Sequence, residues 1–263
     1  MEELKKKLNN LLKERAELDL SLYDRLTKSI LQEAIQGRIV PQIESEGTAE
    51  QLLEEIAGEK KRLVNEGKLK KSALTASRIF RGDDNRYYEQ IGSQKFDISS
   101  QIPFDIPSNW RWVRFGYLIN LLSGRDLEPQ YYNAIGDGIP YITGASNFSA
   151  GKLLINRWTN SPITISHTGD LLITCKGTIG AMAFNNIGDI HIARQVMAIS
   201  TYCNSKYVYY YLVLSSKNIE NKANSMIPGI SRDILLNAFM PLPPLFEQKR
   251  IVTKIESLLE RIK

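Results

Sequence analysis

The sequence predicts an α+β protein, with one globular domain of mixed α and β structure over residues 78–242 and long helices on either side of it. Three observations carry that expectation. The opening stretch alternates charge sign and places apolar residues at helical spacing. From about Arg78 the texture changes to short β-branched and aromatic runs broken by Gly, Asn, Ser and Pro. After the breaker Pro241-Leu242-Pro243-Pro244 a helical period returns.

In the first segment, residues 1–42, Leu4, Leu8, Leu11, Leu18, Leu22, Leu26 and Ile30 step by threes, fours and one seven that skips Arg15. That is the stripe of a long amphipathic helix with coiled-coil character. Gly37 is its C-terminal stop, and Pro41 lies just beyond. A helix over 3–37 would run ~50 Å, too long to bury its stripe on a small domain. Residues 43–77 hold a shorter helix and a linker. Thr48 and Gln51 form a capping box ahead of Leu52, Leu53, Ile56, Leu63 and Val64, and Gly67 ends the helix. The lysine-rich stretch from Gly67 to Arg78 reads as exposed.

Within 78–242, strands are expected at Trp112–Phe115, Ile139–Ile142, Leu171–Cys175, Met182–Phe184 and Val196–Ile199, with helices over Lys206–Leu214 and Ser231–Leu236. In residues 243–263, Ile251, Ile255, Leu258 and Ile262 make an a/d seam, and Pro243-Pro244 is its start signal. The spacing suits three arrangements of the terminal helices: with each other, with those of a second copy, or against the central domain.

The net charge of +5 and pI near 9.0 lean toward a polyanionic partner. Much of the charge nevertheless alternates along the first 75 residues, as on solvated helix faces. Cys175 and Cys203 sit far apart in apolar runs and read as buried free thiols of a reducing cytosol. The start MEELKKKLNN lacks the apolar stretch of a signal peptide, and no window reaches 18 apolar residues, so a cytoplasmic protein without a membrane span is expected.

Catalytic constellations are not legible. Lys176-Gly177-Thr178-Ile179-Gly180 has its lysine ahead of the glycines, so it reads as a tight turn rather than a phosphate loop. Cys175, Cys203, His167 and His191 are never closer than eight residues, which disfavours a zinc site. Glu59-Lys60-Lys61 lies on a helix with the wrong letters for a metal nuclease. Neither the glycine motif nor the aromatic tetrapeptide of a DNA methyltransferase is present. No catalytic residue, metal or cofactor is therefore expected. His191, alternating with Ile190 and Ile192, reads as a strand residue on a polar face. Trp110 and Trp112 read as one core-packing face, and Tyr209, Tyr210 and Tyr211 as helix packing rather than a stacking platform.

Leu26–Gln42 (LTKSILQEAIQGRIVPQ) resembles the central conserved region of the specificity subunits (HsdS) of bacterial Type I restriction-modification systems. Glu46–Lys71 is similar to the lead-in to their second target-recognition domain, and Ile106–Leu118 (IPSNWRWVRFGYL) to that domain's opening motif. Gly138–Leu153 and Gly169–Phe184 resemble its strand-and-turn elements, and Ser225–Leu259 its exit and distal conserved helix. Residues 120–135 and 150–165 match least, as suits a segment that sets sequence preference. A full-length member carries two recognition domains and two conserved helices, so this chain looks like a half-subunit.

The resemblance implies a target-recognition domain that reads a few base pairs of double-stranded DNA, and conserved helices paired as an antiparallel coiled coil. It further implies docking to methyltransferase and restriction subunits, which hold the catalysis. Bases are read by Arg, Lys, Asn, Gln, Ser and Thr beside turns. Here these are Arg125, Ser146, Asn147, Lys152, Arg157, Lys176, Thr178, Arg194, Gln195 and Arg232, although any single one of them reads more readily as ordinary surface charge. Unmet burial of the terminal stripes points to a homodimer that would recognise a symmetric split site. Two other readings stand beside this one: a DNA-modifying enzyme with its own recognition domain, and a coiled-coil scaffold.

Overall fold

The computed structural model describes residues 2–75, 77–221 and 230–262. Helix α1 (Glu2–Ile35) ends where expected, because Gly37 turns the chain at φ +74° and a Cβ there would stand 2.5 Å from the Pro107 ring. Helix α2 (Ala49–Asn65) opens on the capping box: Thr48 donates its N–H to the Gln51 side chain, and Gln51 donates its own N–H to Thr48 Oγ1.

A three-stranded antiparallel meander follows, made of β1 (Arg78–Arg81), β2 (Tyr87–Ile91) and β3 (Gln94–Asp97). The predicted strand at Trp112–Phe115 begins and ends one residue earlier, as β4 (Arg111–Arg114), since Phe115 opens the one-turn helix α3 (Phe115–Leu118). Next come β5 (Ile119–Ser123), β6 (Ile139–Ile142), β7 (Phe148–Ser149), β8 (Lys152–Leu153), β9 (Trp158–Thr159), β10 (Ile165–Ser166), β11 (Leu171–Thr174), β12 (Met182–Phe184), β13 (Ile190–Ile192) and β14 (Val196–Thr201). Helix α4 (Ser205–Asn221) outruns its expected range, α5 (Arg232–Leu236) is one turn, β15 (Phe239–Leu242) takes in Pro241 and ends before Pro243, and α6 (Leu245–Arg261) starts after Pro244. Two four-stranded sheets, ordered β10-β13-β6-β9 and β12-β11-β14-β5, make the body, and β7 and β8 form a separate hairpin.

The body leaves and returns through a single antiparallel ribbon. Exit strand β15 pairs with β4 from Phe239↔Arg114 to Leu242↔Arg111. Tyr207 and Tyr211 of α4 donate their hydroxyls to the carbonyls of Pro241 and Phe239. Arg114 grips the buried Glu89 of β2 with Nε and Nη2 and lies 3.9 Å from the Phe239 ring centroid.

The main core joins the C-terminal part of α1 (Leu31, Ala34, Ile35) to Tyr207, Val208, Tyr211 and Leu212 of α4 and to Ile251, Val252 and Ile255 of α6. Of the arrangements that the spacing suits, α6 takes those within the chain, against α1 and against α4 of the central domain. Ile251 and Ile255 are fully buried within the chain, and Leu258 and Ile262 are half-buried, because α1 and α4 cover them. Leu18, Leu22 and Leu26 of α1 stay exposed at 69%, 53% and 39%. The side chains of Leu4, Leu8 and Leu11, and residues 225–229 of the matched exit, lie outside the described part.

Trp110 and Trp112 are both buried, but not on one face. Trp110 precedes the strand and packs in the main core, whereas Trp112 joins Ile79 and Ile98 beneath the meander. Tyr207 and Tyr211 of the tyrosine run are core residues and Tyr209 and Tyr210 are half-buried, as helix packing requires. Lys60, on an expected solvated face, is only 3% exposed. Its Nζ donates to Tyr117 O at 2.6 Å and sits 3.8 Å from the Tyr117 ring centroid, and burial lowers its pKa to about 8.

Candidate nucleic-acid interface

Three turns of the body meet because the strands that carry them are cross-linked through the backbone. Past the end of β5, Gly124 donates to Val196 O (3.1 Å) and Arg125 to Ile192 O (3.0 Å). A Cβ on Gly124 would stand 2.2 Å from Ala193 O, so only glycine admits this approach. The turn Ala193-Arg194-Gln195, between β13 and β14, is tied to β6 by Ala193 N–H to Ile142 O (2.9 Å). It is tied to β11 by Cys175 N–H to Gln195 O (2.8 Å). Lys176 and Thr178 stand exposed in the adjoining turn from β11 to β12, where Gly177 takes φ +74°. Arg125, Lys176, Thr178, Arg194 and Gln195 are thus brought together and exposed. Ser146 is exposed on the turn that follows β6.

Two buried rings fix this cluster from below. His191 lies in β13, flanked by β10 and by the parallel β6. Its Nδ1 accepts from Thr164 N–H (3.2 Å) and its Nε2 donates to Arg125 O (2.9 Å). It is fully buried and not on a polar face, and that burial pushes its pKa down, so the ring is the neutral Nε2-protonated form. Alternation misleads here because both faces of β13 are covered. Tyr141, 4.9 Å away ring to ring, accepts Leu127 N–H on its hydroxyl (3.2 Å). Asp126 holds Arg194 through the backbone N–H and through Nε.

The structure removes Asn147 from the interface. It is fully buried, and its side chain is spent on the loop: Oδ1 accepts from Thr143 and Gly144, and Nδ2 donates to Leu154 O and Asn156 Oδ1. Arg232 donates Nη1 to Leu121 O and so braces β5, although it remains exposed. Lys152 lies on the β7–β8 hairpin, and Arg157 sits 5.0 Å from the Tyr132 ring centroid; neither side chain is hydrogen-bonded to the three turns. Sequence reading missed the supports Gly124, Asp126 and Tyr141. The one signal the sequence offers, a histidine within an isoleucine run, points to a polar face, whereas β13 is buried on both sides. Among the described residues no group of three or more His, Cys, Asp or Glu side chains could hold a metal, and no helix is long and apolar enough to cross a membrane.

The sequence model of the Type I restriction modification DNA specificity domain matches residues 107–263. The Type I restriction enzyme EcoAI specificity subunit of Escherichia coli is 25% identical over 257 residues, 90% of this chain and 40% of its own length. The EcoEI specificity subunit of the same organism is 24% identical over 267 residues, again 40% of its length. The crystal structure of the HsdS subunit from Thermoanaerobacter tengcongensis superposes with a TM-score of 0.56 at 28% identity, covering 61% of this chain and 40% of that one. The chain thus spans about two fifths of the length of these relatives. With the family model matching more than half of its residues, the body and the distal helix included, the chain belongs to the Type I restriction modification DNA specificity domain family.

Proposed function

We propose that this chain is a non-catalytic DNA-reading unit of a Type I restriction-modification system. In this reading, the three-turn cluster lies in a groove of duplex DNA and directs methyltransferase and restriction subunits to their target. The observation that carries this is the convergence of Arg125, Lys176, Arg194 and Gln195 on a hydrogen-bonded base. Positive charge supplies affinity for the backbone, while donors held on a rigid frame can discriminate bases. The test is twofold. Binding of the chain to duplex DNA should weaken steeply as salt rises, and cells expressing it with its cognate methyltransferase should carry a modified motif. Salt-insensitive binding, or an unmodified methylome, would count against it.

The terminal helices serve in this proposal as an antiparallel spacer. Support comes from Gln42, just past α1, donating to Glu247 in the first turn of α6, and from the shared core of the two helices. The exposed Leu18, Leu22 and Leu26 support pairing of two copies about a two-fold axis, which would present two inverted recognition bodies to a symmetric site. The setting proposed is the cytoplasm, where both cysteines remain as free thiols.

A further inference from the structure

Within the turn cluster the exposed donors are not equivalent. Arg194 is committed to Asp126 through its backbone N–H and its Nε. Arg125 and Lys176 end in flexible side chains without a hydrogen-bond partner among the described residues, which suits the diffuse attraction of phosphates. Gln195 differs from all three. Its Cα is fixed, because its carbonyl accepts from Cys175 and Val196, the next residue, is buried. Its side-chain amide rests on Gly144, where an added Cβ would come within 2.3 Å of Oε1 and 3.6 Å of the Gln195 Cβ. That amide has no hydrogen-bond partner among the described residues, yet it is exposed. It stands between the turn that bears Lys176 and the one that bears Arg125.

A positioned carboxamide with both ends unspent, flanked by two cations, has the form of a base reader between phosphate contacts. An amide offers one acceptor and one donor side by side, complementary to the N6 amino group and N7 of adenine in the major groove. Resting on the proposed DNA-reading role, we propose that Gln195 reads an adenine of one A·T pair in the target, and that Gly144 is a positioning residue that leaves room for its amide.

The experiment selects bound duplexes from a randomised library with the full chain, then repeats the selection with Gln195→Glu and with Gly144→Ala. Glutamate only accepts, and so matches the cytosine amino group. The wild-type chain should enrich a motif with adenine at one position. Gln195→Glu should move that position to cytosine and leave the others unchanged. Gly144→Ala keeps the glutamine but displaces its amide, and should flatten that position alone by roughly 5- to 150-fold in discrimination. Gln195→Glu alters an exposed side chain and Gly144→Ala adds one methyl group at a buried position, so thermal denaturation will show whether each variant folds. A wild-type motif retained by folded Gln195→Glu would overturn the assignment while leaving the DNA-reading role intact. Enrichment of no motif by the wild-type chain would instead overturn that role, and the assignment with it.

Discussion

Asp126 holds Arg194 at two points: its carboxylate accepts from the guanidinium Nε at 2.8 Å and from the backbone N–H at 3.1 Å. The pair is exposed, so its contribution to stability is about 0.2–1 kcal/mol and its consequence is orientation. An anionic group among the cations also subtracts from unspecific attraction to DNA. Asp126→Ala is therefore expected to raise affinity for a scrambled duplex and narrow the gap between target and non-target, with little change in Tm. Titration of both duplexes at fixed salt measures it, and an unchanged target to non-target ratio would contradict it.

Leucines of α1 and isoleucines of α6 answer different questions. Ile255 is a core residue, so Ile255→Ala should lower stability by about 2–5 kcal/mol whatever the association state. Leu18→Glu with Leu22→Glu alters exposed positions and should leave the unfolding transition near that of the unaltered chain. If two copies pair through α1, the same double variant should sediment as a monomer while the unaltered chain sediments as a dimer.

Those two helices also show what the sequence makes legible. A period of 3.6 over several turns identified α1, α2 and α6, and the Thr48–Gln51 box marked the start of α2 at the correct residue. The meander of β1 to β3 carried no such signal. Tyr87–Ile91 and Gln94–Asp97 mix aromatic, acidic and amide residues, and β3 is exposed along its whole length. The two-residue strands β7 to β10 are too short to alternate. Turn residues of the candidate site could be read, but their meeting could not. It depends on β13 pairing with β6 in parallel and on β14 lying between β11 and β5, pairings between residues far apart in the chain. Burial of Lys60 and Asn147 was hidden for the same reason.

Acid should loosen the turn cluster. His191 has a folded pKa below its unfolded value of ~6.5, so the unfolded chain binds a proton that the native ring excludes. The stabilisation is complete above that unfolded value and is lost as pH falls toward the folded one. A protonated Nδ1 could no longer accept from Thr164, and burial outweighs the Arg125 carbonyl and Asp126, which favour the charge. Tm followed from pH 7.5 to 5.5 should fall more for the wild-type chain than for His191→Gln. Parallel curves would show that the ring does not titrate in this way.

Alkali should act in the opposite sense at α2. Lys60 has a folded pKa of about 8 against an unfolded ~10.4, so burial of its charge is a cost below pH 8 that is relieved as pH rises through the interval. Compared with Lys60→Met, the unaltered chain should gain stability between pH 8 and 10, on the order of 3 kcal/mol at most. Urea unfolding of both proteins at several pH values provides the comparison, and a constant difference would refute it.

The ribbon of β4 with β15 closes the base of the body. Everything from Phe115 to Ala238 departs and returns within one strand spacing, ~4.8 Å, so its ends are already adjacent. Insertions or deletions in the turns between β5 and β14 leave the spacing of the flanking helices untouched, whereas α4 belongs to the core that those helices share. Conversely, the frame accepts new turns there without being redesigned, since β15 pairs with Arg111–Arg114 from outside the exchanged part and α4 keeps its tyrosine hydroxyls on the carbonyls of Phe239 and Pro241. Such a layout uncouples the turns of the body from the helical frame, so that the two are free to diversify at different rates.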